Sequence, residues 1–220
     1  MCERVVVPES HLLPCPISPE LAAGTPLSLL TAWHMLVGRA RVKPGDKVLI
    51  QAGASGVGVY AIQIAKLHGA EVAVTASSEE KRARCLALGA DAAWTYEETR
   101  GEVRAWTQKR GVDIVLDHVG TSTWDTSVRA LARGGSLVTC GATTGHEASI
   151  DLRILFFKQL NLLGSTMGGM DELREAWATV LRGDIQPVVD RVLPMSRLAE
   201  AHELLEDRAL IGKVVVEQDL

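Results

Sequence analysis

Short apolar runs and longer helix-type stretches alternate along the chain. Lys47-Val48-Leu49-Ile50, Glu71-Val72-Ala73-Val74-Thr75, Val112-Asp113-Ile114-Val115-Leu116-Asp117 and Ser136-Leu137-Val138-Thr139-Cys140 are apolar runs of strand length. They predict strands, with a weaker one near 92–95. Helices are predicted at about 59–66, 79–88, 98–109 and 124–132, and Gly134-Gly135 reads as the turn into the fifth run. Upstream, residues 4–8 read as a short strand, followed by a stretch containing Pro14, Pro16 and Pro19. Ser18-Pro19-Glu20-Leu21 suits a helix start, and apolar residues continue to about Val37. Beyond residue 150 the pattern predicts a helix at 152–158, an apolar run at 160–165 and a helix near 171–182. A strand at 188–193, a helix at 196–206 and a strand at 213–217 follow. Strands alternating with helices imply βαβ units and a parallel sheet. Right-handed crossovers make it a doubly wound α/β sheet.

Between the strand at 47–50 and the helix at 59–66 lies Gln51-Ala52-Gly53-Ala54-Ser55-Gly56-Val57-Gly58. A strand, a glycine-rich turn and a helix, in that order, form a phosphate site. Glycines let the backbone turn sharply and approach an anion, and the helix N-terminus offers free N–H groups at its positive end. The expectation is a bound dinucleotide.

Composition narrows the partners. The 220 residues carry a net charge of −4, with 47% hydrophobic and 23% charged positions. That balance gives no electrostatic argument for nucleic acid or an anionic membrane. No apolar run reaches the roughly 18 residues of a membrane span. Met1-Cys2-Glu3-Arg4 lacks a signal-peptide core. Cys2, Cys15, Cys85 and Cys140 are far apart, which reads as reduced thiols in a cytoplasmic protein.

A series of segments resembles the nucleotide-binding half of the medium-chain dehydrogenases/reductases, in the zinc-type alcohol dehydrogenase and quinone oxidoreductase branch. They are Leu30-Thr31-Ala32-Trp33-His34, Val42-Lys43-Pro44-Gly45-Asp46, Gly53-Ala54-Ser55-Gly56-Val57-Gly58, Leu88-Gly89-Ala90-Asp91, Asp117-His118-Val119-Gly120 and Gly212-Lys213-Val214-Val215-Val216. The resemblance implies a Rossmann dinucleotide-binding domain at 20–183. Segments 1–19 and 184–220 would pack on a catalytic, chaperonin-10-like domain that this chain lacks. It implies no catalytic residue and no zinc ligand in this chain, and hence little turnover from the chain alone. The family reaction is hydride transfer between a nicotinamide and a carbonyl, alcohol, quinone or enone. A non-catalytic NADP-binding sensor or partner subunit, and the enoyl-reductase module of a larger synthase, stand as alternatives.

The resemblance also assigns residues. The first and third glycines of the fingerprint fall on Gly53 and Gly58, with Ser55, Gly56 and Val57 between them, and the Ser55 hydroxyl is expected to face the pyrophosphate. An NAD site places an acid at the end of the second strand; here that place reads Thr75-Ala76-Ser77-Ser78. The quinone reductases hold a 2′-phosphate with a small residue, a lysine and a tyrosine, which fall on Ser77, Lys81 and Tyr96. NADP is therefore expected, with NAD kept as the alternative because Glu79 and Glu80 lie nearby. Thr31, Val119, Gly120, Cys140, Gly141, Ser165 and Thr166 complete the expected cofactor wall. Asp117-His118 reads as a polar strand end rather than an acid–base pair. A two-fold homodimer is expected through the apolar segment Phe156–Ser165.

Overall fold

The computed structural model describes residues 4–218. After an irregular start, α1 (Pro19–Gly24) and α2 (Pro26–Trp33) run in succession, and His34–Arg39 continues as a π-helical turn. Ser18 caps α1, its hydroxyl accepting the Leu21 N–H. The single helix expected to Val37 is broken at Thr25-Pro26, because a proline ring cannot continue the helix of the preceding turn. Then follow β1 (Lys47–Ile50), α3 (Gly58–Leu67), β2 (Glu71–Thr75), α4 (Glu79–Ala87), β3 (Ala92–Trp94) and α5 (Thr99–Trp106). The series continues with β4 (Val112–Leu116), α6 (Trp124–Ala130), β5 (Leu131–Thr139), α7 (Leu152–Lys158), β6 (Asn161–Gly164) and α8 (Met170–Leu181). The last elements are β7 (Val189–Pro194), α9 (Leu198–Glu206) and β8 (Lys213–Glu217).

Six strands form one parallel sheet in the order β3-β2-β1-β4-β5-β6. This is the doubly wound α/β fold that the pattern predicts. Helices bury both faces. Val48 and Ile50 pack with Leu29, Val59 and Ile62 on one side, and Leu49 packs with Val103 and Val128 on the other. Among the described residues no helix is long and apolar enough to cross a membrane.

Three expectations change. Residues 4–8 form no strand and Val6 is 99% exposed, because no strand among the described residues pairs with this segment. β5 starts at Leu131 rather than after Gly134-Gly135; the glycines sit inside it, where its register with β4 shifts between Val112 and Ile114. The tail also packs on the main core: Ile185 and Val188 are buried in the same cluster as α3. β7 and β8 pair in parallel as a separate two-stranded sheet that leaves out residues 4–8. A Cβ on Gly24 of α1 would lie 2.9 Å from Val189 Cγ2, which measures how closely α1 covers that small sheet.

Candidate functional site

The strand order reverses between β1 and β4, and a crevice opens beyond their carboxyl ends. Residues 51–57 turn across it and enter α3 at Gly58. Two glycines are required by contact. A Cβ on Gly53 would sit 2.7 Å from Val74 Cβ, and one on Gly58 would sit 2.5 Å from the Gly53 carbonyl oxygen. Neither neighbour can retreat. The Gly53 N–H donates to the Thr75 carbonyl at 2.8 Å and ties the turn to β2. Gly56 differs, since a Cβ there would meet only the end of Lys213, with Cε at 2.7 Å and Nζ at 3.2 Å. Val57 packs on the core just before α3.

The Ser55 hydroxyl has partners within the chain. It accepts the Gly58 N–H at 3.0 Å and lies 2.9 Å from His118 Nε2. A hydroxyl has one proton, so Ser55 can donate to an anion only while His118 carries its own proton on Nε2. The buried His118 Nδ1 has no hydrogen-bond partner. Burial holds the imidazole below its usual pKa, against the opposing pull of Asp117.

Asp117 is fully buried at the end of β4. Its carboxylate accepts the N–H groups of Val119 and Gly120, at 2.9 and 3.1 Å, and the hydroxyls of Thr123 and Ser127, at 2.8 and 2.6 Å. Gln51 donates to Ser127 at 3.0 Å and accepts from Thr75 at 2.7 Å, while Thr75 accepts the Ala52 N–H at 3.0 Å. One hydrogen-bonded chain thus locks the ends of β2, β1 and β4, the three strands under the glycine turn. Gly120 has φ +96°, and a Cβ on it would lie 2.6 Å from the Gly145 oxygen.

Two clefts flank this floor. The first, about 400 Å³, brings Ser55 and Gly56 together with Ser77, Lys81, Tyr96 and Val119. No carboxylate lines it. Ser78 caps α4, its hydroxyl accepting the Lys81 N–H at 3.2 Å, which leaves Ser77 exposed at the rim. Burial raises the Tyr96 phenol pKa, partly offset by a hydrogen bond with Thr75. The opposite wall comes from the loop after α9, with Arg208, Leu210 and Gly212. The Lys81 ammonium donates to the Arg208 carbonyl across the cleft, and the Gly212 N–H donates to the Ala54 carbonyl at 2.9 Å.

The second cleft is larger, about 770 Å³, and holds Gly120, Cys140, Gly141, Ser165 and Thr166 beside His34 and Arg39. Ser165 Oγ and Trp124 Nε1 are buried there without partners. His34 Nδ1 lies 2.9 Å from the Glu172 carboxylate, and the Arg39 Nε–H donates to the Gly164 carbonyl. Both residues belong to the π-helical turn, which a sequence pattern does not reveal. Burial pushes the Cys140 thiol up to about 11, so it remains a neutral thiol at neutral pH. Thr31 lines neither cleft; its hydroxyl donates to the Leu27 carbonyl one turn back in α2.

Sequence reasoning missed Lys213 and Arg208. Burial lowers the Lys213 ammonium pKa, yet its end rests over Gly56. The only local signal was Gly212-Lys213 beside an apolar strand, and nothing in it indicates which loop that strand reaches. Among the described residues no group of three or more His, Cys, Asp or Glu could hold a metal ion.

Comparison with known proteins places this geometry. The signature of the zinc-binding dehydrogenases matches residues 56–182. The chain is 32% identical to a crotonyl-CoA reductase of Streptomyces avermitilis, over 98% of this chain and 54% of that protein. It is 35% identical to the zinc-type alcohol dehydrogenase-like protein C1773.06c of Schizosaccharomyces pombe, over 97% of this chain and 65% of that protein. It is 34% identical to the spectinabilin polyketide synthase system protein NorB of Streptomyces orinoci, matching 98% of this chain but 10% of that protein. The crystal structure of an NAD-dependent alcohol dehydrogenase superposes with a TM-score of 0.92 at 45% identity, covering 97% of this chain and 63% of that one. The crotonyl-CoA carboxylase/reductase AntE V350A, solved in complex with NADP, superposes with a TM-score of 0.86 at 30% identity, over 91% and 57%. The chain spans 54% to 65% of the first two relatives' lengths. The chain belongs to the zinc-binding dehydrogenases of the medium-chain dehydrogenase/reductase family.

Proposed function

We propose that this chain is the NADPH-binding part of a medium-chain oxidoreductase. One observation carries the reading: Ser77, Lys81 and Tyr96 meet the glycine turn in a single cleft without a carboxylate. Two hydroxyls and an ammonium suit a 2′-phosphate, which an acid after β2 would repel. The relatives pull in two directions here. One structural neighbour is an NAD-dependent enzyme and another was solved with NADP. The composition of this chain's own cleft supports NADP, because residues 76–78 supply no acid for the ribose hydroxyls.

On this reading the turn from Gly53 to Gly58 would carry the pyrophosphate, with the Lys213 ammonium as its counter-ion. Arg208 would sit near the adenosine end. Val119, Gly120, Cys140 and Gly141 would border the nicotinamide side, with Ser165 and Thr166 offering hydroxyls to its amide. The bound cofactor supplies the hydride. The chain's residues orient it, and the chain alone should show little turnover. The substrate, among carbonyls, alcohols, quinones and enones, would lie in the larger cleft beside His34.

A second reading is a reductase module of a larger synthase, favoured by the match to 10% of the polyketide synthase protein NorB. We also propose a two-fold homodimer through Phe156–Ser165. β6 is an open sheet edge, and Phe156 and Phe157 on the adjoining α7 are exposed. The described cysteines are free, which supports a cytoplasmic location. Titration of the chain with NADPH and NADH, read by nicotinamide fluorescence, tests the main proposal. Tight NADPH and weak NADH binding is expected. Preference for NADH would overturn the cofactor assignment, and binding of neither would overturn the function.

A further inference from the structure

The amino ends of β4 and β5 lie at the opposite edge of the sheet from the glycine turn. A cavity of about 330 Å³ opens there among α5, α6 and α7. Its cationic lining is Arg100, Arg104, Lys109, Arg110, Arg129 and Lys158, and it contains no acidic residue. This is unusual in a chain of net charge −4. Two of the six are neutralised from outside the cavity: Arg110 pairs with Asp113 at 2.6 Å and Arg129 with Asp125 at 2.8 Å. The Lys158 ammonium donates to the Arg129 and Leu131 carbonyls, at 2.9 and 2.7 Å, and has no acidic partner among the described residues. Arg100, Arg104 and Lys109 have no ion-pair partner among the described residues.

The backbone around these cations is constrained. Gln108 and Lys109 are consecutive non-glycine residues in the left-handed region, with φ +51° and +71°. Such a pair persists only where the surroundings enforce it, and it fixes the direction in which Lys109 leaves the loop. Gly111 follows with φ +92°, and a Cβ on it would lie 2.6 Å from the Ala132 N. The loop is thus seated against the start of β5. Like charges held together in a concave site raise one another's energy until an anion joins them, and burial with Arg129 nearby already lowers the Lys158 pKa.

We propose that this cavity is a second anion site, binding the diphosphate group of a small phosphorylated ligand. Two guanidinium forks and two ammonium groups without acidic partners match a group with several phosphate oxygens. The volume sits near the lower end of the roughly 300–1,000 Å³ of small-molecule sites, which suits a diphosphate better than a whole dinucleotide. The diphosphate could come free or as the arm of a nucleotide.

The test is calorimetric titration of the full chain at low salt with inorganic pyrophosphate and, separately, with ADP. It is repeated on Lys81→Ala and on Arg100→Gln/Arg104→Gln/Lys109→Gln. Melting curves confirm that the triple variant, altered only at exposed side chains, folds as the parent does. The triple substitution should weaken pyrophosphate about tenfold or more, and Lys81→Ala should leave it unchanged. ADP binding tighter than pyrophosphate in the Lys81→Ala background assigns the site to a nucleotide; equal affinity assigns it to the diphosphate alone. Absence of pyrophosphate binding overturns the proposal, as does pyrophosphate affinity that the triple variant leaves unchanged, since that binding would lie at the glycine turn.

Discussion

The two sheets of this chain are held by different means. The six-stranded sheet is covered by helices on both faces, and its central strand is buried from Val48 to Ile50. Its carboxyl edge is locked by the Asp117 network. The sheet of β7 and β8 has two strands, exposes Val192, and rests on α1 and on the glycine turn. A two-stranded sheet is marginal by itself, so it needs such support. Yet Lys213 and the loop with Arg208 belong to this weaker unit: the loop completes one wall of the smaller cleft, and the end of Lys213 rests over Gly56. The strong sheet supplies shape, and the weak one brings cationic charge to it.

Breaking the strong unit should give the largest effects. Asp117→Ala strands two N–H groups and two hydroxyls in the interior. With about 1–3 kcal/mol for each unsatisfied group and partial relaxation, we expect a loss of about 3 kcal/mol or more by urea denaturation. A loss below about 1 kcal/mol would show that the network does not hold the strand ends. Gly58→Ala drives a Cβ into the Gly53 carbonyl, at 2.5 Å. It should abolish measurable NADPH binding and cost about 2 kcal/mol, in the range of overpacking. Gly56→Ala, facing only the movable end of Lys213, should leave stability nearly unchanged.

Smaller effects sharpen the division of labour. Lys81→Ala should weaken NADPH by about 10- to 100-fold, the worth of a charge-assisted hydrogen bond, and leave NADH unchanged. Equal losses for both cofactors would refute the 2′-phosphate role. Lys213→Ala should weaken both cofactors by a similar factor of about ten, without loss of stability, since a partly buried charge is removed. The smallest effect concerns pH. The folded pKa of His118 lies below its unfolded value near 6.5, so the unfolded chain binds the extra proton first. Stability should therefore fall as pH drops below about 6.5. The melting temperature of His118→Asn should fall less than that of the parent between pH 7 and 5.

Much of the strong unit was legible in the chain. Each strand of the main sheet was readable because its apolar run ends at turn residues, as with Val48–Ile50 before Gln51. Ser77, Lys81 and Tyr96 were assigned through the resemblance to the quinone reductases, and they line one cleft because β2, α4 and β3 are sequential neighbours. Residues 4–8 were misread, since strand composition without a pairing edge makes no strand. Thr31 was named as a cofactor contact, but the structure turns its hydroxyl back onto α2.

The parallel α/β order, the glycine turn and the missing acid after β2 were written in the chain, because they depend on periodicity and on neighbours close in the chain. Three contacts came only with folding: Lys213 reaches Gly56, His118 engages Ser55, and six cations meet at the far edge of the sheet. Those contacts join residues tens of positions apart. Their geometry follows from how helices and strands pack, and no local pattern records it.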